Sequence, residues 1–146
     1  MYPDTYYYEY YAQLIEDIEE YIQDEMQDSL YYKELAKLAP TPLAKKIILE
    51  FSADEKKHAE NMQSAYYMLT GRYFKPSPLK PVTITDYDTA LKQRVIAETK
   101  DYQKYGEQYL KAPNKYLKDL FFMTRTVEAK HAMRIPILFE EEAEED

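Results

Sequence analysis

Residues 53–60 read ADEKKHAE and residues 126–133 read TVEAKHAM, and each stretch holds one of the chain's two histidines. In both stretches the histidine, His58 or His131, follows a glutamate by three residues within one E-x-K-H-A frame. A glutamate and a histidine at this spacing lie on the same face of a helix, where both side chains can reach one ion. The shared frame therefore predicts two equivalent helices that carry the same chemistry.

The two frames belong to a longer internal repeat. A shift of 73 residues aligns the two halves without a gap, and 11 of the 35 residue pairs between 25–59 and 98–132 are identical. A duplicated helical hairpin explains this similarity and predicts a pseudo-two-fold axis through the middle of the fold. The identical pairs include Glu25 and Glu98, Asp28 and Asp101, Tyr32 and Tyr105, Glu55 and Glu128, and His58 and His131.

The composition favours an all-α protein with a single domain over residues 1–146. The chain has 146 residues, enough to bury a core, and its two glycines and many Glu, Lys, Leu and Ala residues favour helix. Prolines and a breaker zone place the helices at about 10–39, 43–70, 86–111 and 114–139. Pro136 is predicted to end or kink the last helix just before that residue.

The breaker zone at residues 71–88 indicates the topology. Its length allows it to span about 60 Å when extended, whereas the 28-residue helix predicted before it, residues 43–70, is about 42 Å long. The zone can therefore return along the whole bundle, so that the second and third helices lie parallel. A four-helix bundle with one such crossover is of the ferritin-like kind.

Each predicted helix places one glutamate in the middle of its apolar stripe. Unpaired buried carboxylates cost several kcal/mol each, and a domain is stable by only about 5–15 kcal/mol. Two divalent cations would balance four carboxylates. One glutamate from each of two helices, with Glu-x-x-His from each of the others, is a di-iron or di-manganese ligand set, and the lack of cysteine disfavours thiolate metal sites. The predicted ligands are Glu25, Glu55, His58, Glu98, Glu128 and His131.

This pattern resembles the ferritin-like di-iron carboxylate superfamily, and most of all the catalytic bundle of rubrerythrins, over residues from about 15 to 139. The resemblance implies that Glu55 and Glu128 bridge two metals. It also implies that the remaining ligands are terminal, namely the carboxylates of Glu25 and Glu98 and the nitrogens of His58 and His131.

The resemblance extends to residues around the ligands. It implies that Tyr32, and by the repeat Tyr105, hydrogen-bond the terminal carboxylates and support catalysis there; plain aromatic packing is the other interpretation. Asp28 and Asp101 are candidates to orient a histidine ring, although this role is less favoured. Rubrerythrins carry a further glutamate at the position of Asp101 and a rubredoxin-like domain with four cysteines, so peroxide reduction by this cysteine-free sequence would need an external electron donor.

Three functions follow. The favoured one is a di-iron oxidoreductase of peroxidase or ferroxidase type, in which two iron ions (or manganese) react with hydrogen peroxide or dioxygen. The second is a non-catalytic protein that binds or buffers iron or manganese. The third is a helical scaffold that retains a relict site; the tyrosine-rich N-terminus favours it somewhat.

The net charge and the hydropathy of the sequence limit which partners are expected. A net charge of −8 argues against nucleic acid, and the lack of a signal-like or long apolar segment predicts a cytoplasmic protein without a membrane partner. The tyrosine-rich start would serve an interface or relay electrons. The acidic run at 140–146 is interpreted as a solvated terminus rather than a cation attractor. The long helices offer surface for a homodimer.

Overall fold

The computed structural model describes residues 3–140, and within that range the chain forms a bundle of four helices. They are α1 (Pro3–Ala36), α2 (Pro42–Thr70), α3 (Tyr87–Lys111) and α4 (Lys115–Arg134), followed by a 3-10 helix at Ile135–Leu138. Helix α1 packs along α2 and helix α3 along α4, so each half of the chain is a hairpin. The predicted all-α four-helix bundle is confirmed. None of the described helices is long and apolar enough to cross a membrane.

Capping residues set most helix boundaries where the sequence predicted them. The side chains of Thr41, Asp86 and Asn114 each accept a hydrogen bond from the backbone N–H three residues on, at 3.1, 2.8 and 3.0 Å. Pro42 occupies the first turn of α2, where no N–H is needed. Gly71 closes that helix with φ 75°, a left-handed conformation that glycine adopts without strain.

The first and last helices differ from their predicted bounds. Helix α1 begins at Pro3 instead of near residue 10, because the tyrosine-rich segment continues the helix. It ends at Ala36 instead of 39, since residues just before Pro40 are pushed away from helical geometry. Helix α4 ends at Arg134 instead of 139, which confirms the predicted end just before Pro136, and the chain continues as a 3-10 turn that contains this proline. The acidic run beyond residue 140 lies outside the described residues.

The crossover between α2 and α3 is fastened along the bundle by glutamine side chains. Each glutamine amide makes two hydrogen bonds, of 2.7–3.1 Å, to the backbone N–H and C=O of a single crossover residue. The chain consequently returns past α2 and α1 to the end where α2 begins, and α3 starts there. Helices α2 and α3 are therefore parallel, as predicted. The pairs are Gln63 with Phe74, Gln23 with Ser77, and Gln27 with Lys80.

Two apolar clusters fill the bundle and leave a polar layer between them. One cluster includes Leu35, Phe51 and Leu91. The other includes Ile18 and Met62, with further side chains from α3 and α4. The residues of both clusters are buried, so a polar group in the layer between them needs a partner inside the protein.

Candidate metal centre

All four helices contribute to the polar layer between the apolar clusters. The structure brings together the six residues that the sequence singled out, and each is at most 5% exposed. Helix α1 supplies one glutamate, α3 supplies another, and α2 and α4 each supply a glutamate and a histidine one turn apart. They are Glu25, Glu98, Glu55, His58, Glu128 and His131.

The six side chains form two overlapping groups that share two members. In each group, one ligand atom per residue lies within 4.8 Å of the others. Glu55 and Glu128 belong to both groups, whereas Glu25 with His58 completes one and Glu98 with His131 completes the other. Two ions held by these groups would share the carboxylates of Glu55 and Glu128.

Both histidines turn Nδ1 toward the carboxylates. The Nδ1 atom of His58 lies 3.0 Å from Glu128 Oε1 and 3.5 Å from Glu25 Oε2. That of His131 lies 3.1 Å from Glu55 Oε1 and 3.6 Å from Glu98 Oε2. Each imidazole therefore faces carboxylates of other helices in addition to the glutamate on its own helix.

Eight ligand atoms of these residues are buried without a hydrogen-bond partner. They are both oxygens of Glu55 and of Glu128, the Oε2 atoms of Glu25 and Glu98, and the Nδ1 atoms of the two histidines. Buried polar atoms are nearly always satisfied in native proteins. Because these atoms converge on one another and are all metal-ligand types, the donor set fits two cations with mixed carboxylate and imidazole ligands.

The carboxyl groups divide into two electrostatic classes. Burial, together with the nearby charge of Glu25, raises the pKa of Glu55 and Glu128 well above its ordinary value. Burial also opposes ionisation of Glu98, but the nearby His131 and Arg94 outweigh it and hold the pKa of Glu98 at about 2. Without a cation, the two shared carboxyls therefore bind protons that metal would displace.

Tyrosines hold the outer oxygens of the unshared glutamates. Tyr105 donates to Glu25 Oε1 at 2.5 Å, and Tyr32 donates a short hydrogen bond to Glu98 Oε1. Each bond leaves the other oxygen, Oε2, directed into the site. Arg94 adds to the second pair by donating to the Tyr32 hydroxyl at 3.0 Å and to Glu98 at 3.2 Å.

Removing the Tyr105 hydroxyl tests the first of these bonds. Tyr105→Phe is expected to lower the free energy of unfolding of the metal-free protein by about 1.5–3 kcal/mol, because hydrogen bonds to charged groups contribute that much. Tyr32→Phe is the matched variant and should cost more, since Arg94 Nε would also lose its acceptor. Urea unfolding of both variants measures the difference. A larger loss in Tyr105→Phe would contradict this account.

Asp54 and Arg94 are site residues that sequence reasoning missed. Asp54 Oδ2 lies 2.8 Å from His131 Nε2, so a carboxylate from α2 fixes the ring that α4 supplies. The histidine-orienting role considered for Asp28 and Asp101 was wrong. Asp28 instead accepts from Arg94 at 3.3 Å, and Asp101 accepts from a lysine one turn away at 3.1 Å. Arg94 stands one helical turn before Glu98, a spacing that is visible in the sequence.

Comparison with known proteins agrees with this geometry. The rubrerythrin family model matches residues 7–83, which is more than half of the chain and includes α2, most of α1 and most of the crossover. Searches of curated proteins and of solved structures give no match. The matched segment holds Glu25, Glu55 and His58, and the internal repeat relates them to the ligand types on α3 and α4. The chain belongs to the rubrerythrin family.

Proposed function

We propose that the protein binds two iron ions in this site and is an oxidoreductase that oxidises Fe(II) and reduces hydrogen peroxide or dioxygen. The observation that carries the proposal is the pair of overlapping ligand groups that share Glu55 and Glu128. A single ion would leave part of this set unused. Two ions would use all of it, with Glu25 and His58 on one and the corresponding residues of α3 and α4 on the other.

Charge balance supports two divalent ions. The four buried glutamates carry four negative charges when ionised, and two divalent cations neutralise them. The basic side chains next to the layer offset little of this charge, since Lys104 is paired with Asp101 and Arg94 is shared between Asp28 and Glu98. Carboxylate and imidazole ligands suit iron and also manganese, so manganese is the alternative metal.

Side chains of this protein would control what reaches the ions. Phe51 packs against the His131 ring with a centroid distance of 4.3 Å, and both residues are fully buried. Tyr32 and Tyr105 keep the unshared glutamates oriented before any metal arrives. On the other side, His58 lines a surface pocket of about 180 Å³, which offers a small oxidant a route to the site. Two ferrous ions would supply the two electrons that peroxide reduction needs.

A non-catalytic role in binding or buffering iron or manganese is the second candidate, and one observation favours it. Asp101 stands where rubrerythrins have an additional glutamate, but its Oδ1 is bonded to Lys104 Nζ at 3.1 Å. A shorter side chain that is already paired is poorly suited to exchange as a ligand when the metal changes oxidation state. Such a protein would bind the same two ions without catalysing the reduction of an oxidant.

Oxidation of the iron-loaded protein separates the two candidates. We expect anaerobically loaded protein to consume about one peroxide for every two Fe(II) oxidised, with two protons taken up and two waters formed. The rate should exceed that of free Fe(II) at equal concentration, and dioxygen should be tested in parallel. An external donor is then needed for further turnovers. Bound iron that stays ferrous with both oxidants, or that oxidises no faster than free iron, would favour buffering.

A further inference from the structure

The two halves of the centre differ on the outer side of their histidines. By the 73-residue repeat, Asp54 before Glu55 corresponds to Val127 before Glu128. Asp54 fixes His131 from behind, with 2.8 Å between Oδ2 and Nε2. An Asp–His–metal arrangement of this kind fixes the tautomer, so that Nδ1 is free to bind the ion, and it increases the basicity of the ligand.

No such support is built behind His58. The contacts of its ring with acidic side chains in the described part of the chain are all made by Nδ1, on the inner side. His58 lines the surface pocket together with Val127 and Asp54, but the hydrogen bond of Asp54 goes to His131. An isopropyl side chain accepts no hydrogen bond. No hydrogen bond from a described residue therefore fixes the tautomer of this ring at Nε2.

A second difference between the two halves also leaves His58 less enclosed than His131. Phe51 packs on the His131 ring, and the residue that corresponds to Phe51 in the repeat is Thr124. Thr124 lines the pocket beside His58, and its hydroxyl donates to a carbonyl of its own helix at 2.7 Å. Thus one histidine is covered by an aromatic ring, and the other is next to a space of about 180 Å³.

Each metal position also has one basic side chain and one further carboxylate on its flank. Lys104 lies over the ring of Tyr105 and is paired with Asp101. Arg94 is paired with Asp28 and also donates to Glu98 at 3.2 Å. That direct contact brings a positive charge close to the His131 position and acts against the support that Asp54 gives, so the rates of metal release test which effect is larger.

We propose that the two metal positions are unequal: the position of Glu98 and His131 retains its ion, whereas the position of Glu25 and His58 exchanges its ion through the pocket. The proposal rests on the dinuclear site proposed above and adds an order of loading and release. Loss of a residue that supports a metal-binding histidine typically reduces affinity 10–100-fold. The retained and exchangeable positions should therefore differ by about tenfold or more in their rate of metal release.

Release of Fe(II) to an excess of bipyridine under argon tests the proposal. The wild-type protein should release its iron in two phases of equal amplitude. His58→Ala should abolish the fast phase and His131→Ala the slow one. Val127→Asp places a carboxylate behind His58 and should slow the fast phase about tenfold or more. Asp54→Val makes the reverse change and should accelerate the slow phase by a similar factor.

A neighbouring substitution controls for charge alone. Thr126→Asp adds the same charge one residue away on the exposed face of α4 and should leave both phases unchanged. Two irons released in a single phase that Val127→Asp does not alter would overturn this inference and leave the dinuclear site intact. A folded protein that binds no iron would overturn the proposed function itself. If Val127→Asp fails to fold, Asp54→Val decides the question through the slow phase.

Discussion

The double variant Glu55→Gln/Glu128→Gln is expected to lose both metal ions and yet to be more stable than the metal-free wild type at pH 7. Both carboxyls are fully buried, and their raised pKa values mark the free energy needed to ionise them there. Glutamine keeps the size of the side chain and needs no proton to stay uncharged. The substitution therefore removes the free energy that protonating both carboxyls costs on folding at pH 7; replacing buried ionisable groups by uncharged groups of similar volume often increases stability by about 1–4 kcal/mol.

Metal should reverse this order of stability. At a free metal concentration of about 1,000 times Kd, binding adds about 4 kcal/mol for each ion to the wild type and nothing to the variant. Metal analysis after anaerobic purification and thermal unfolding with and without Fe(II) measure both effects. Wild-type protein should hold about two ions per chain if the sites are filled as proposed. Glu60→Gln, exposed on α2, is the control and should behave as wild type. Two ions retained by the double variant would show that these glutamates are not ligands.

Asp28→Asn should make the metal-free protein more stable above pH 7 and leave it nearly unchanged near pH 4. Burial raises the pKa of Asp28 to about 7, although Arg94 opposes the shift. In the unfolded chain the carboxyl ionises near its ordinary value, so unfolding releases a proton between about pH 4 and pH 7, and rising pH favours the unfolded state. At about 1.36 kcal/mol for each pKa unit, the gain at pH 8 is about 4 kcal/mol.

Chemical unfolding of chelator-treated protein across this pH range measures the gain. Asp119→Asn is the matched control, since Asp119 has a side chain that is 59% exposed on α4. It should produce no such pH-dependent difference. A gain in Asp28→Asn that is the same at pH 4 and pH 8 would contradict the assignment. Near pH 4 the carboxyl of the folded wild type is already protonated, so a gain at that pH could not come from its ionisation.

The sequence predicted those parts of the fold that depend on local chemistry. Thr41, Pro42 and Gly71 mark the ends of α2 by capping and by backbone conformation, and both ends lie within one residue of the prediction. The beginning of α1 was not predictable in the same way. Its tyrosines have no strong preference for or against helix, and no capping residue separates them from the rest of the helix.

The six residues that meet in the polar layer could be singled out from the sequence because the repeat supplied two instances of one pattern. The role of Asp54 could not be predicted in this way, because Asp54 lies on a partly exposed face of α2. Its contact with His131 depends on how closely α2 and α4 approach across the bundle. No periodicity along one chain segment records that distance. Arg94 is an intermediate case, since its spacing from Glu98 was visible but its burial was not.

The tyrosines cross between the hairpins, and this has an evolutionary consequence. Tyr32 of the first hairpin donates to the second, and Tyr105 of the second donates to the first. A single hairpin could complete neither set, so the ancestral hairpin that the repeat implies would have needed a second copy, paired with it as a symmetric dimer. A homodimer of that kind cannot make its two metal positions different. Fusion removed this restriction, and Asp54 and Val127 are positions at which the two copies have since diverged.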